Sequence, residues 1–324
     1  MTLTSLPQLQ PYPSLARICA VVLDVWPAHG GYLKARFCES AHPVLPITEE
    51  IAGLVVRIAG NDLSTFADSY RWTCETLVAE DLHFRRTGGY RWTTFEDAYR
   101  EVYSRADYMQ TYLRGLLLSQ VLWANQATAF HFYVERFLQR LQPGTDYLEI
   151  GPGHGLLLYF AARSPQIGSI TGWDVSESSL AMTRQTMEAM GMGHPFKLEL
   201  HNILEPPCVQ MAYDAIVLSE VLEHLDRPEI ALATVFKTLK PGGLAYFNVP
   251  VNSPAPDHIY YWGSHLEVEN LVRKIGFKIV DSDAAPATGY SLERALRRKV
   301  TINSLIVAER PDQGHIGVVS ENGK

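Results

Sequence analysis

Along the chain, apolar and polar positions change rhythm three times. From Pro46 to about Phe137 the spacing is mainly helical: "ITEEIAGLVVRIAG" and "STFADSYRWTCETLVAE" repeat apolar residues every three or four positions, the stripe of an amphipathic helix. One interruption, "DLHFRRTGGYRWTTFEDA", sets two short aromatic and β-branched runs around Gly88 and Gly89, which predicts a hairpin. Two helices and then a hairpin is the order of a winged helix. The pattern from Phe95 to Leu141 is again helical and stops at Gln142-Pro143-Gly144, a turn signal that predicts a domain boundary.

From Asp146 short apolar runs alternate with helical stretches. Strands are predicted at 146–151, 169–174, 195–200, 213–219 and 243–249, with helices near 155–164, 176–191 and 226–239. That alternation implies right-handed crossovers and a parallel, doubly wound α/β sheet. The end departs from it: "FKIVDSD" and "TINSLIVAER" read as strands around "SLERALRRKV", a closing antiparallel hairpin. Residues 311–324 read as a disordered tail. The expected division is a helical, winged-helix-like domain at 1–142 serving as a lid or for dimerisation, an α/β domain at 143–310, and the tail.

Composition sharpens this picture only in places. With 324 residues, 47% of them hydrophobic and 19% charged, the chain has material for two cores. The net charge of −7 argues against a general binder of nucleic acid, since phosphate affinity comes from clustered Lys and Arg. Cys19, Cys38, Cys74 and Cys208 have no CxxC spacing, which suits reduced thiols in the cytoplasm. "ICAVVLDVW" is short and interrupted by Asp24, so neither a signal peptide nor a membrane span is expected.

The candidate chemistry starts at "YLEIGPGHGLLLYF", residues 147–160. Glycines after a strand let backbone N–H groups approach a ligand, and the next helix adds its positive N-terminus. A dinucleotide fingerprint wants glycines at positions one, three and six, whereas here they are Gly151, Gly153 and then Leu156, with Gly155 one residue early. A Walker loop would need Gly-Lys followed by Ser or Thr, which is absent. NAD and ATP are therefore both disfavoured. Asp174 ends the second predicted strand, where a carboxylate can accept from two vicinal ribose hydroxyls.

Glu149 to Gly155, Asp174, "DAIVLSEVLEHL" and "LKPGGLAYFNVP", in this order and spacing, resemble the class I S-adenosylmethionine (SAM) methyltransferases over about residues 140–310. The resemblance implies a seven-stranded Rossmann-like sheet with SAM across the C-terminal edges of its first strands. It further implies that Gly151, Gly153 and Gly155 shape the loop under the amino acid end of SAM, with Glu149 orienting that loop. Asp174 would take the ribose, Val175, Asn202 and Ile203 the adenine, and Ser219 and Glu220 would flank the methionine portion. Asn202 stands where the family more often has Asp, and a turn cap is its alternative reading.

Nearer the reacting end, Glu220, Glu223 and His224 in "SEVLEHLDRP", with His258 after the fifth strand, are spaced as in ubiquinone-biosynthesis O-methyltransferases and small-RNA 2'-O-methyltransferases, some of which hold a divalent metal there. Three readings stay open: a metal on Glu220, Glu223, His224 and His258, a general base at His224 or His258 assisted by Glu220, or structural roles. The default is no metal. His265 with Glu267 and Glu269 reads as a solvated helix face.

Phe66 to Phe137 holds 16 aromatic residues in 72 positions, against 10% in the whole chain. Most should pack a core, while some of Tyr99, Tyr103, Tyr108, Tyr112 and Trp123, together with Tyr260, are expected to face a planar or apolar substrate. The expected activity is O- or N-methylation of a small molecule by a protein able to form a homodimer. The alternatives are transfer or cyclisation of the aminocarboxypropyl chain of SAM, as in azetidine-2-carboxylate-forming enzymes, and a non-catalytic SAM sensor or DNA-binding regulator with Arg85, Arg86 and Arg91 on its wing.

Overall fold

The computed structural model describes residues 6–205 and 209–312. Its first part is helical: α1 (Pro13–Val25), α2 (Gly30–Arg36), α3 (Leu45–Ala59), α4 (Leu63–Thr87), α5 (Phe95–Ala98), α6 (Ala106–Leu122) and α7 (Ala124–Phe132). Wider π turns at Tyr99–Tyr103 and Tyr133–Phe137 extend α5 and α7. The strands are β1 (Thr145–Ile150), β2 (Ile167–Asp174), β3 (Lys197–Leu200), β4 (Tyr213–Ser219), β5 (Leu239–Val251), β6 (Lys278–Pro286) and β7 (Ile302–Glu309). Between them run α8 (Leu156–Arg163), α9 (Glu177–Met190), α10 (Pro228–Thr238), α11 (His265–Ile275) and α12 (Leu292–Arg298).

The strands form one seven-stranded sheet in the order β3-β2-β1-β4-β5-β7-β6. Strands β1 to β5 are parallel, and β7 lies antiparallel between β5 and β6. A central parallel strand is covered on both faces, so it reads as a continuous apolar run. "AIVL" of β4 is such a run, and all four residues are buried. The strand order reverses between β1 and β4, and at that switch point the flanking crossovers diverge and open a crevice beyond the strand ends.

The helical residues and the sheet share apolar packing. Leu15, Val55, Phe130 and Tyr133 belong to the same buried cluster as Leu156, Val217, Tyr246 and Leu305. The opposite sheet face packs Leu148, Ile216 and Phe247 with Leu232, Val268 and Val272 of α10 and α11.

The α/β half follows the expected pattern, but the wing does not form. Residues 81–87 continue α4 instead of starting a strand, and no strand precedes Thr145 among the described residues. Asp81 and Arg85 pair one turn apart at 2.7 Å, which favours helix. Gly88, at φ +79°, donates its N–H to the Phe84 carbonyl at 2.7 Å. It is thus a left-handed helix stop, a second use of glycine that the hairpin reading overlooked. Arg85 and Arg86 lie in the last turn of α4 rather than on a wing, and Arg85 and Arg91 are ion-paired to Asp81 and Glu80. Of the expected tail, residues 313–324 lie outside the described residues.

Candidate active site

At the C-terminal end of β1 the chain turns sharply into α8 with three glycines at positive φ: Gly151 (+67°), Gly153 (+51°) and Gly155 (+71°). A Cβ on Gly151 would stand 2.8 Å from Val221 Cγ2, and one on Gly155 would stand 3.1 Å from Met187 Sδ. Backbone conformation and close approach together require glycine there. Two loop carbonyls are held from α9: Thr183 donates to Gly153 O at 2.8 Å and Thr186 to His154 O at 3.0 Å. Over the turn opens a cavity of about 1050 Å³, lined from the sheet edge by Gly151, Asp174, Ser219 and Glu220 and from the helices by Tyr103, Tyr112, Gln126 and Phe130.

Its walls carry carboxyl groups with raised pKa. Glu149 is buried at the end of β1, where desolvation pushes its pKa up to about 8. Its partner is the Tyr147 hydroxyl, which donates at 3.3 Å and itself meets the Tyr133 hydroxyl at 2.9 Å. Asp174 accepts the Ser176 N–H at 2.9 Å, and burial lifts it to about 6. Glu220 adopts φ +57°, unusual for a residue with a Cβ. Carboxamides fix it there: Asn303 Nδ2 donates at 2.7 Å and Asn248 Nδ2 at 3.2 Å, with Gln126 as a further donor. Burial holds it near 7 despite those donors. Val175, His201 and Ile203 line the cavity beyond Asp174, and His201 lies against Trp173 with ring centres 4.2 Å apart.

At the other end, Glu223, His224 and His258 come together with one ligand atom each, all within 4.8 Å of one another. His224 Nε2 lies 3.6 Å and His258 Nε2 3.9 Å from Glu223 Oε1. The Nδ1 atoms face main-chain carbonyls, Asp257 O at 3.0 Å and Ser253 O at 2.7 Å. A carbonyl only accepts, so each Nδ1 carries the proton and each Nε2 keeps its lone pair. Burial pushes His258 down to about 4 and Glu223 well above the carboxylate range. Both Glu223 oxygens are buried without a donor. The two Nε2 lone pairs and the unsatisfied Glu223 carboxyl, once ionised, are a donor set that fits a divalent cation.

The sequence from residue 122 to 282 matches the family model described as a methyltransferase domain. Residues 122–282 carry a methyltransferase domain. The chain is similar to an O-methyltransferase of Pyrenophora dematioidea, 24% identical over 44% of this chain and 57% of the relative. It is also similar to a ubiquinone biosynthesis O-methyltransferase of Rhizobium etli, 27% identical over 52% of this chain and 74% of the relative. The match thus spans little more than half of the fungal relative's length. Among solved structures, the SAM-dependent methyltransferase SibL in its apo form shares the fold, with a TM-score of 0.53 at 14% identity over 77% of this chain and 74% of that one.

The anticipated cofactor residues Glu149, Gly151, Gly153, Asp174, Val175, Ile203 and Ser219 line one cavity, joined by Glu220, His224 and His258. Gly155 lies behind it, against Met187. Asn202 is elsewhere: its Oδ1 accepts the Leu204 N–H at 3.0 Å, the turn-cap arrangement. Glu220 is no member of the Glu223 cluster, because carboxamides occupy it.

Of the aromatic residues expected to face substrate, Tyr99, Tyr103 and Tyr112 reach the cavity. Tyr108, Trp123 and Tyr260 do not. Tyr108 meets Trp72 edge-on at 4.8 Å, Trp123 donates its Nε1–H to the Tyr70 hydroxyl at 3.1 Å, and Tyr260 packs on Trp262 at 4.7 Å. His265 Nε2 lies 3.2 Å from Glu269 Oε1 on α11, and Glu269 pairs with Arg273.

Asp257 was not anticipated. It is buried, lines the cavity, and accepts from Tyr112 at 3.1 Å and Tyr103 at 3.2 Å. Its one sequence signal was adjacency to His258. The carboxamides Gln126, Asn248 and Asn303, far apart in the chain, carried none.

Proposed function

We propose that this chain transfers the methyl group of SAM to an uncharged or cationic small molecule. One observation carries the reading. The cavity is lined by Glu149, Asp174, Glu177, Glu220 and Asp257 and, among the described residues, by no Lys or Arg. Once ionised, such walls attract SAM, whose sulfonium and ammonium outweigh its one carboxylate, and repel acceptors of net negative charge. At about 1050 Å³ the space is at the top of the range for small-molecule sites, roughly 300–1,000 Å³, enough for a nucleoside cofactor and an acceptor together.

In this reading Asp174 accepts from the ribose hydroxyls and Glu149 supports the glycine loop at the amino acid end. SAM supplies an already activated methyl group. Holding the acceptor atom in line can then provide much of the rate, since orientation is worth roughly 7–11 kcal/mol. His224 lines the cavity with an unprotonated Nε2 and is the base proposed to take the proton of a hydroxyl or ammonium acceptor. A divalent cation, if bound, would sit on Glu223, His224 and His258 and lower the pKa of an acceptor hydroxyl. The helical residues before β1 serve as the cover of the site. The proposal places the protein in the cytoplasm and allows a homodimer. No described helix is long and apolar enough to cross a membrane.

A second reading has its own observation. Glu220, at about 7 and held by three carboxamides, ends β4 beside the expected methionine portion and could deprotonate the ammonium of SAM itself. The aminocarboxypropyl chain would then be transferred or closed on its own nitrogen. Incubation with SAM alone separates the two. Methylthioadenosine without an acceptor supports chain chemistry, whereas S-adenosylhomocysteine formed only with a neutral or amine acceptor supports methyl transfer.

A further inference from the structure

The helical cover meets the sheet unit at the reacting end through hydrogen bonds that converge on Asp257. Tyr112 of α6 donates to one carboxylate oxygen at 3.1 Å, and Tyr103, in the π turn before α6, donates to the other at 3.2 Å. The main-chain carbonyl of Asp257 accepts from His224 Nδ1 at 3.0 Å, and the Tyr103 hydroxyl lies 3.1 Å from that same nitrogen. The phenol hydrogen is engaged by the carboxylate, so toward His224 the phenol oxygen is an acceptor. Tyr103, Asp257 and His224 thus close a ring that fixes one tautomer of the imidazole, and Tyr112 braces it.

Flanking contacts point the same way. The Phe95 N–H donates to Asp226 Oδ1 at 2.9 Å, and the Ser253 N–H donates to the Tyr90 hydroxyl at 3.2 Å. The segment so attached begins after the helix stop at Gly88 and breaks at Ser104-Arg105, between the π turn and α6. Element ends of this kind can absorb a hinge motion while α4 stays intact.

We propose that Asp257 is a positioning residue: its carboxylate latches the cover through Tyr103 and Tyr112, and the closed latch holds the His224 imidazole ready for proton transfer. The part concerning His224 rests on the functional reading above; the latch itself does not.

Hydrogen exchange of the free protein, read by mass spectrometry over residues 88–112, tests the latch without any ligand. Asp257→Asn and Tyr112→Phe should each speed exchange of that segment by about tenfold or more, as expected for hydrogen bonds to a charged group. The double variant should add little to Asp257→Asn alone, because both changes remove one interaction. Peptides from β1 and β4 should keep their protection. Tyr103→Phe should also lower kcat while leaving KM for SAM in place. Unchanged protection of 88–112 in Asp257→Asn and both tyrosine variants overturns the proposal, as does protection lost equally across the sheet. Should Asp257→Asn fail to fold, the tyrosine variants decide. A wild type that binds no SAM contradicts the functional reading, and the exchange result still decides the latch.

Discussion

The Tyr147 hydroxyl donates to Glu149 Oε2 at 3.3 Å beneath the glycine turn, and it is the one side-chain donor this buried carboxyl has among the described residues. One long hydrogen bond does not offset desolvation, so Glu149 titrates near 8, with Glu220 near 7 and Asp174 near 6. Each lies above its ordinary value near 4, so the folded protein binds protons that the unfolded chain releases. Their stabilising contribution is complete below about pH 4 and is lost as pH rises through 6, 7 and 8 in turn.

A cationic cofactor favours the ionised acids, so SAM binding should expel protons. Affinity for SAM should therefore rise between about pH 6 and pH 8.5, while the thermal stability contributed by these groups falls. Calorimetric titration in buffers of different ionisation enthalpy checks this. Proton uptake, or affinity that falls with pH over that window, contradicts it.

Gly151 and Gly153 should respond differently to alanine. Both have positive φ, but only at Gly151 would the new Cβ meet a neighbour, Val221, at 2.8 Å, whereas at Gly153 the nearest atom is 4.0 Å away. Gly151→Ala should cost about 2–4 kcal/mol, combining left-handed strain with overpacking, and Gly153→Ala about 1–2 kcal/mol. Thermal unfolding of the free proteins measures both, and equal losses would show that Val221 moves aside.

If Glu223, His224 and His258 bind a divalent cation, His224 acts as a ligand and not as the base, and uptake is one ion per chain. Titration with Co²⁺ should give visible absorption bands of a nitrogen- and oxygen-ligated ion, weakened at least tenfold in affinity by Glu223→Gln or His258→Ala. A spectrum that stays that of aqueous Co²⁺ leaves Glu223 a buried protonated acid instead.

Much of the fold was legible in the sequence because its signals are local. Apolar runs such as "AIVL" mark strands buried on both faces, and "EIGPGHG" fixes a turn whose glycines are needed one by one. Gly88-Gly89 misled because glycine serves both a hairpin and a helix end, and the deciding Asp81–Arg85 pair is a helical feature. At the site, residues tied to strand ends line the cavity, since topology carries them there. Asp257 and the carboxamides Asn248 and Asn303 were not foreseen, because their partners lie between 28 and 178 positions away. Trp123 and Tyr260 show the limit of aromatic content as a guide, for bulk apolar area is first used to fill a core.

Replacing Trp123 should accordingly affect stability more than turnover. Trp123→Phe removes its hydrogen bond to Tyr70 and should cost about 1 kcal/mol, with KM for SAM and acceptor unchanged. A raised KM at unchanged stability would return Trp123 to the site.

The central claim is that this cavity binds SAM with Asp174 on its ribose. Isothermal titration of SAM into the wild type and into Asp174→Ala tests it most directly. The account predicts saturable one-to-one binding, weakened about tenfold or more in the variant as charge-assisted hydrogen bonds of roughly 1.5–3 kcal/mol each are lost. No binding to the wild type, or equal affinity of both proteins, would contradict it.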